Sequence, residues 1–338
     1  MRIDFRSDTV TVPTPAMLHA MQKAPLGDDV FGEDPSVNEL ERFAADLFRM
    51  EAAVFCPSGT MTNQIAIKCH TQAGDEVICD ESSHIYQYEG GGIAFNSGCS
   101  VRLIHGDRGR INADQVAAAI QPDDVHRPVT RLVSLENTSN RGGGSCYEMK
   151  EMEAIGELCR SKGLSFHLDG ARLFNAMVAK NEKPETYGKL FDSISICLSK
   201  GLGAPVGSLL LGKAPFIKKA RRIRKVFGGG MRQAGMLAAA GLYALNHHVD
   251  RLKTDHEQAA LLGAAIAKKD MVAEMLPVET NIIIFRLKPG LTAPELVKLL
   301  EGKDVLAYAI TPEKVRLVVH LDIIPAMLQQ TINIIESI

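Results

Sequence analysis

Two apolar stretches each end in a charged residue, and this pattern is the strongest chemical signal in the sequence. The stretch from Leu164 to Leu168 is followed by Asp169, and the stretch from Ile194 to Leu198 is followed, after one serine, by Lys200. Short apolar runs of this kind are typical of buried strands. Because ligands of open α/β sheets bind at the carboxyl ends of strands, the two charged residues could meet at one ligand.

An aspartate, a lysine and the nearby Arg172 together suit pyridoxal 5'-phosphate. A lysine amine forms a Schiff base with the aldehyde of this cofactor, and an aspartate keeps the pyridine nitrogen protonated so that the ring accepts electrons. We assign these two roles to Lys200 and Asp169. The simpler alternative is that the aspartate forms a turn or caps a helix and that the lysine is a solvated loop residue.

A loop of small residues offers a place for the cofactor's phosphate. The loop, Pro57-Ser58-Gly59-Thr60, follows an apolar strand from Ala52 to Cys56 and precedes an apolar helix from Met61 to about His70. The start of a helix presents free amides to an anion, and its dipole favours negative charge. Many strand-to-helix turns have a similar composition, so the loop predicts a phosphate site only in combination with Lys200.

Two histidines lie on loops, where functional residues are often found. His84 follows a strand and precedes a glycine-rich stretch, so its ring could stack on the cofactor while Glu89 orients it or a water. His126 lies on a second polar loop. A single histidine is nevertheless more often a surface or core residue than a catalyst. Arg316 lies on an alternating strand, where it faces water unless it faces a crevice, in which case its planar fork suits a carboxylate.

The composition is that of a protein that acts on small molecules. The chain has 338 residues and a net charge of −2, which gives no electrostatic reason to expect nucleic acid or a membrane as a partner. The seven cysteines are scattered and include no Cys-x-x-Cys pair, a pattern that fits a reducing compartment. The start is too polar for a signal peptide, and no apolar run approaches the roughly 18 residues of a membrane helix. We therefore predict a cytoplasmic protein.

Alternating helix and strand patterns predict an α/β fold with two domains. The run Ser36-Val37-Asn38-Glu39 has the form of a capping box, which predicts that a helix begins there. A polar run at residues 246–250 marks a domain boundary. We assign residues 1–248 to an N-terminal arm and a large cofactor-binding domain, and residues 249–338 to a small C-terminal α/β domain on its own layer.

Taken together, the motifs closely resemble those of the low-specificity L-threonine aldolases. The resemblance covers essentially the whole chain and implies the aspartate-aminotransferase-like fold, fold type I of the pyridoxal-phosphate enzymes, with a mostly parallel seven-stranded sheet. The segments that carry it are Arg6-Ser7-Asp8-Thr9-Val10-Thr11, Gly27-Asp28-Asp29-Val30, Pro57-Ser58-Gly59-Thr60-Met61-Thr62-Asn63, His167-Leu168-Asp169-Gly170-Ala171-Arg172, Ser199-Lys200-Gly201-Leu202-Gly203-Ala204-Pro205-Val206-Gly207 and Gly228-Gly229-Gly230-Met231-Arg232-Gln233.

The same resemblance implies which residues hold the cofactor. Lys200 is expected to carry it, Asp169 to bond the ring nitrogen and His84 to stack on the ring. The phosphate is expected at Gly59, Thr60 and Arg232, and this arginine could reach in from a partner subunit.

For the substrate, the resemblance implies a carboxylate site and a base. The carboxylate is expected at Ser7, Arg172 and Arg316. The base that takes the β-hydroxyl proton is expected to be His84 or His126, with a water near Glu89, and the choice between the two histidines stays open, as does the presence of a metal.

The implied reaction is the cleavage of L-threonine, L-allo-threonine and other β-hydroxy-α-amino acids to glycine and an aldehyde. The implied assembly is a homo-oligomer, a dimer or a tetramer, with active sites at the subunit interface. Phe31 stands where many family members carry Tyr, and Ser139 stands where His is frequent. These departures concern rate and substrate preference more than reaction class.

Three other functions compete with aldol cleavage. β-Elimination, racemisation or transamination would use the same lysine, aspartate and phosphate loop, and the two histidines favour aldol cleavage over them. A protein that only stores the cofactor would not need the arginines. A dinucleotide-binding oxidoreductase is disfavoured because no Gly-x-Gly-x-x-Gly opens a first strand-to-helix unit.

Overall fold

The computed structural model describes residues 2–338, which form a large central sheet and a smaller C-terminal layer. The N-terminal elements are β1 (Ile3–Asp4), α1 (Pro15–Gln22) and α2 (Pro35–Phe48). The central elements are β2 (Ala52–Cys56), α3 (Gly59–His70), β3 (Asp75–Asp80), α4 (His84–Gln87), β4 (Ser100–Ile104), α5 (Ala113–Ala119), β5 (Val129–Glu136), α6 (Met149–Lys162), β6 (Ser165–Gly170), α7 (Leu173–Lys180), α8 (Pro184–Leu190), β7 (Ser193–Cys197) and β8 (Ser208–Gly212). The remaining elements are α9 (Ala214–Val226), α10 (Gly235–His247), α11 (Leu252–Ala267), β9 (Val272–Met275), β10 (Ile282–Leu287), α12 (Ala293–Glu301), β11 (Val305–Leu306), β12 (Tyr308–Ala309), β13 (Lys314–Val318) and α13 (Pro325–Ser337).

The central sheet has seven strands in the order β2-β8-β7-β6-β5-β3-β4. Strand β8 runs antiparallel to both of its neighbours, and the other pairs are parallel. Strands β3, β7 and β8 are buried along their whole length, as expected for a sheet covered by helices on both faces. The predicted α/β class and the mostly parallel seven-stranded sheet are confirmed.

The strand register brings acidic residues together at one edge of this sheet. Asp169 of β6 lies opposite Glu136 of β5 on one side and Ser195 of β7 on the other. These three strands are parallel, so their carboxyl ends share an edge, and Lys200 follows the last of them. The fold thus places Asp169 and Lys200, both predicted from the sequence as site residues, at the same edge of the sheet.

The predicted capping box at Ser36 is wrong. Helix α2 begins at Pro35, and its N-cap is Asp34, whose side chain accepts hydrogen bonds from the amides of Ser36 and Val37. The hydroxyl of Ser36 instead donates to the carbonyl of Pro25 at 2.8 Å. A proline at the first helical position favours this earlier start because its missing N–H is not needed there.

The C-terminal layer is an antiparallel sheet in the order β12-β13-β10-β9, covered by helices α11, α12 and α13. The first residues of the chain also belong to this layer, because β1 pairs with β11 and the side chains of Ile3 and Phe5 lie in its apolar core. The N-terminal arm therefore passes from the small layer to the large sheet. Within residues 2–338, no helix has the length and apolar character needed to cross a membrane.

Candidate active site

A pocket of about 250 Å³ opens at the carboxyl edge of the central sheet, between that sheet and the C-terminal layer. Its lining contains three charged residues predicted from the sequence, Arg172, Lys200 and Arg316, together with His84 and Ser7. The full lining consists of Ser7, Thr9, His84, Tyr88, Glu136, Asn140, Arg141, Ala171, Arg172, Lys200, Tyr308 and Arg316. Five of the residues predicted from the sequence therefore meet here.

Lys200 is held by a tight connection between β7 and β8. Its carbonyl accepts from the Thr11 hydroxyl at 3.0 Å and from the Gly203 amide at 2.8 Å. Gly207 closes the connection with a φ of 115°, and a Cβ at that position would lie 2.6 Å from the Phe55 ring. Only glycine fits both constraints, so the loop that presents Lys200 depends on it.

Behind the pocket, one amide joins two carboxylates. Asn63 Nδ2 donates to Asp169 Oδ2 at 2.8 Å and to Glu89 Oε1 at 2.9 Å. Glu89 also accepts from Gln64 Nε2 at 2.6 Å and pairs with His84 Nδ1 at 3.0 Å. These contacts fix Asp169 and orient the His84 ring, with Nδ1–H donating to Glu89 and Nε2 left to accept a proton.

The orientation of Asn63 is itself fixed by a buried chain of polar groups. Because its amide nitrogen serves the two carboxylates, its oxygen must accept from His167 Nε2, 3.3 Å away. His167 Nδ1 must then accept from the Ser193 hydroxyl at 2.8 Å, and that hydroxyl accepts from His70 Nε2 at 2.8 Å. Burial lowers the pKa of His167 to about 3 and that of His70 to about 4, so both stay neutral and the direction of the chain is unique.

His84 and Glu136 form one wall of the pocket. Glu136 is buried and accepts from the amides of His84 at 2.7 Å and Asn140 at 2.8 Å. Burial and the charge of Asp169 raise the pKa of Glu136. Burial lowers the pKa of His84, but the hydrogen bond to Glu89 and the charges of Asp169 and Glu89 outweigh it, so the pKa lies above the ordinary 6.5.

Three arginines also line the pocket, and within residues 2–338 only Arg172 is paired with a carboxylate. Arg172 donates from Nε and Nη2 to the two oxygens of Asp8, each at 2.7 Å, and both side chains are buried. Arg316 donates to Asn140 Oδ1 at 2.8 Å and to the carbonyl of Arg6 at 3.0 Å, while its buried Nε has no partner in the described chain. Burial and the charge of Arg172 lower the pKa of Arg316 to about 10. Arg141 is the third.

The small-residue loop fits an anion. Ser58 caps α3 by accepting from the Met61 amide at 3.2 Å, and the amides of Gly59 and Thr60 in the first turn have no carbonyl of their own helix to bond. Ser208, at the start of β8, has a buried hydroxyl without a hydrogen-bond partner among residues 2–338, and a Cβ on Gly59 would lie 3.4 Å from it. A phosphate at this cradle would satisfy these donors.

His126 and Arg232 do not reach Lys200 within one chain. The His126 side chain is 86% exposed and bonds Asp124 on the loop before β5, so it lies roughly 20 Å from the carboxyl end of that strand, given its rise per residue. Arg232 bonds Asp28 at 2.9 Å and lies over the ring of Phe31, which is 73% exposed.

Ser139 is buried near the pocket and accepts from the Gly142 amide at 3.2 Å.

Several residues of the site were not singled out from the sequence. Glu136 follows a largely apolar run at residues 132–135, as Asp169 follows its own run, and this pattern was the available signal; the two residues lie opposite each other in the sheet. Asn63 had no local signal, because its role depends on contacts with strands more than a hundred residues away. The others are Asp8, Tyr88, Asn140, Arg141 and Tyr308.

Comparison with known proteins agrees with this geometry. A family model described as beta-eliminating lyase matches residues 4–288. The low specificity L-threonine aldolase of Escherichia coli (strain K12) is 44% identical over 322 residues, which are 95% of this chain and 94% of that protein. The chain belongs to this family. The low-specificity L-threonine aldolase 1 of Arabidopsis thaliana is 40% identical, over 99% of this chain and 96% of that one.

The solved structures share the family's fold. The threonine aldolase of Leishmania major has a TM-score of 0.87 at 21% identity and covers 99% of both chains. The serine palmitoyltransferase of Sphingomonas wittichii has a TM-score of 0.79 at 15% identity, over 99% of this chain and 86% of that one. The predicted family and the predicted fold type are therefore confirmed.

Proposed function

We propose that this member of the family is a pyridoxal-phosphate-dependent aldolase that cleaves L-threonine and L-allo-threonine to glycine and acetaldehyde, and other β-hydroxy-α-amino acids to glycine and the matching aldehyde. The observation that carries the proposal is the pocket in which Lys200, His84 and Arg316 meet at the strand end occupied by Asp169. The identity of about 40% to enzymes named for this activity supports it.

The residues present fit the cofactor. Lys200 would bond its aldehyde, Asp169 would face its ring nitrogen, and His84 would cover its ring. Gly59 and Thr60 would hold its phosphate, with the buried Ser208 hydroxyl as a further donor. When bound, the cofactor accepts the electrons released as the bond between the α- and β-carbons of the substrate breaks.

The chain's own cations would orient the substrate. Arg316 has an unpartnered buried donor and would bind the α-carboxylate, with Ser7 beside it. Arg172 would add its charge, but two of its donors already serve Asp8. Fixing the carboxylate fixes rotation about the α-carbon, so the bond to the β-carbon can be held in the orientation that breaks.

His84 is the best-placed base in one chain. With Nδ1–H bonded to Glu89, its Nε2 would accept the β-hydroxyl proton, and the imidazolium formed would be stabilised by the same carboxylate. His126 would contribute only from another subunit, because its own loop lies at the far end of the strand.

We further infer a homo-oligomer, a dimer or a tetramer, in which a partner subunit supplies Arg232 to the phosphate. Its exposed side chain and the exposed ring of Phe31 support this assignment. We also keep the division into residues 1–248 and 249–338, with the arm bridging both. A cytoplasmic location is supported by the seven buried cysteines, all of which are free.

The test is to incubate the purified protein with pyridoxal phosphate and either L-threonine or L-allo-threonine, and to follow acetaldehyde and glycine together. We expect equal amounts of both products, and we expect Lys200→Ala to lose both the cofactor's bound absorbance and the activity. Lys213→Ala, which changes an exposed lysine, is the matched control. Cofactor binding without acetaldehyde from either substrate would refute cleavage of threonine and direct the search to bulkier β-hydroxy amino acids and then to elimination or transfer substrates.

A further inference from the structure

Arg141 is a cation of the pocket that the reaction on threonine does not use. It lines the pocket beside Arg316 and is half-buried. Its guanidinium makes no hydrogen bond or ion pair with any residue in the range 2–338, and it lies over the ring of Tyr88, whose centre is 4.9 Å from Cζ. Burial lowers the pKa of Arg141, as expected for a charge without a counterion.

The charges of the pocket do not balance without a further anion. Among the described residues, Glu136 is the only carboxylate in its lining, and both of its oxygens already accept hydrogen bonds from backbone amides. Arg172 is neutralised by Asp8, and the α-carboxylate of a substrate would neutralise Arg316. Arg141 would remain uncompensated with a monocarboxylic substrate such as threonine, and an unpaired, partly desolvated charge is costly.

The position of Arg141 shows which part of a substrate it would meet. With the α-amine at Lys200, the α-carboxylate at Arg316 and the β-hydroxyl at His84, the remaining β-substituent points past the His84 ring. The Tyr88 ring lies beside that of His84, with the two ring centres 5.7 Å apart, and the Arg141 guanidinium lies over Tyr88. Arg141 also borders a second cavity of about 600 Å³, which is lined largely by polar and charged residues.

Building on the proposed function, we infer that Arg141 selects β-hydroxy amino acids whose β-substituent carries a carboxylate, of which L-3-hydroxyaspartate is the smallest. The reaction is balanced without a further reactant. The β-hydroxyl proton goes to the base, the bond between the α- and β-carbons breaks, a proton is added at the α-carbon, and the products are glycine and glyoxylate. The planar fork of Arg141 can bind the second carboxylate through two hydrogen bonds.

The first experiment uses the wild-type holoenzyme with L-3-hydroxyaspartate and with its neutral near-isostere L-3-hydroxyasparagine, and compares kcat/KM. We expect the dicarboxylate to be preferred by at least tenfold, because a charge-assisted pair is lost with the amide. Equal values, or a preference for the amide, would overturn the inference. This comparison does not depend on any variant folding correctly.

The second experiment compares Arg141→Gln with wild type on L-3-hydroxyaspartate and L-threonine. We expect kcat/KM for the dicarboxylate to fall at least tenfold more than that for threonine, and Arg141→Lys to recover part of the difference. Arg286→Gln, a partly exposed arginine paired with Glu274, should leave both values unchanged. An equal fall on both substrates would overturn the inference and assign Arg141 to the α-carboxylate or to the fold, whereas wild type that cleaves neither substrate would refute the aldolase itself.

Discussion

Asp8 and Arg172 form a two-point ion pair with both side chains buried, so neither residue can be changed alone without leaving a charge uncompensated. We expect Asp8→Asn to lower the free energy of unfolding by about 3 to 5 kcal/mol at pH 7. The measurement is urea unfolding followed by circular dichroism. Asp107→Asn is the matched control because the Asp107 carboxylate, which pairs with Arg110, is exposed. This variant should lower the free energy of unfolding by less than about 1 kcal/mol.

The same pair gives a pH dependence with a defined sign. Burial alone raises the pKa of Asp8, but the charge and hydrogen bonds of Arg172, with Lys200 and Asn281, lower it to about 2. A carboxyl whose pKa is lower in the folded state than its unfolded value of about 3.9 stabilises the fold above that value and loses this contribution as the pH falls through 2. The loss of stability between pH 4 and 2 should therefore be shallower in Asp8→Asn. Identical slopes would contradict the assigned charge state.

Glu89 controls the charge of the proposed base. Since the hydrogen bond to Glu89 and nearby negative charges raise the pKa of His84, neutral His84 is lost below a pH somewhat above 6.5, and kcat/KM should fall on that acid side. Glu89→Gln removes a charge that stabilises the imidazolium, so we expect the acid limb to move to lower pH as the maximum rate decreases. The measurement is kcat/KM for L-threonine from pH 5 to 9.

The matched control is Glu81→Gln, which removes an exposed carboxylate that pairs with His105 instead of His84. Its acid limb should coincide with that of the wild type. If Glu89→Gln also leaves the acid limb in place while the rate falls, the titrating base is not His84, and His126 of another subunit becomes the candidate.

Among the elements, helix α2 depends on a single buried side chain. Asp34 accepts from the amides of Ser36 and Val37 at 3.1 Å and also from those of Gly235 at 2.9 Å and Gly27 at 3.3 Å. It therefore joins the helix start to α10 and to the arm. We expect Asp34→Ala to cost about 2 kcal/mol or more, since a cap is lost and buried amides stay unpaired.

The variant Glu39→Ala distinguishes the observed Asp34 cap from the capping box predicted from the sequence, because only the capping box would need the Glu39 carboxylate. Glu39 is exposed, and we expect its loss to change the free energy of unfolding by less than about 0.5 kcal/mol in the same urea titration. A large effect of Glu39→Ala with a small effect of Asp34→Ala would reverse the assignment of the cap.

Elements with strong periodicity were predictable from the sequence, and those that depend on tertiary contacts were not. The bounds of the strands Ala52–Cys56 and Ile282–Leu287 follow from the sequence, because the first is a continuous apolar run and the second is interrupted only by Arg286. Helices α7 and α8 could not be predicted from the sequence, since each is only seven or eight residues long and both lie within the connection between β6 and β7. The apolar run at residues 305–309 predicts a single strand, but it divides into β11 and β12, which pair with different partners.

At the scale of the whole molecule, site residues that follow a strand could be predicted from the sequence. Site residues that reach the pocket from distant parts of the chain could not. Lys200 could be located because it follows an apolar run that had to be a buried strand. Asp8 could not be recognised as the counterion of Arg172, because 164 residues separate them and only the packing of the arm on the large sheet brings them together. Long-range polar pairs of this kind leave no local pattern.

Arg232 leads to the prediction that tests the assembly. In its own chain it faces outward, paired with Asp28 and over the exposed ring of Phe31, so a role at the phosphate requires a second subunit. If that role is real, Lys200→Ala and Arg232→Ala are each nearly inactive alone. After the two are unfolded together and refolded in equal amounts, a hybrid dimer would hold one site with both residues intact. Random pairing then restores about a quarter of the wild-type activity, as follows from the symmetry of a two-subunit interface.

The control is each variant refolded alone, which should stay inactive, and wild type refolded in parallel, which sets the full value. Recovery requires that Arg232 of one subunit act beside Lys200 of the other. If both residues act within one chain, no hybrid contains a complete site, and the mixture remains as inactive as its parts. Absence of recovery in a mixture shown by size-exclusion chromatography to be dimeric or larger would therefore place the phosphate site within a single subunit, and the free Ser208 hydroxyl and the start of α3 would have to hold the phosphate without Arg232.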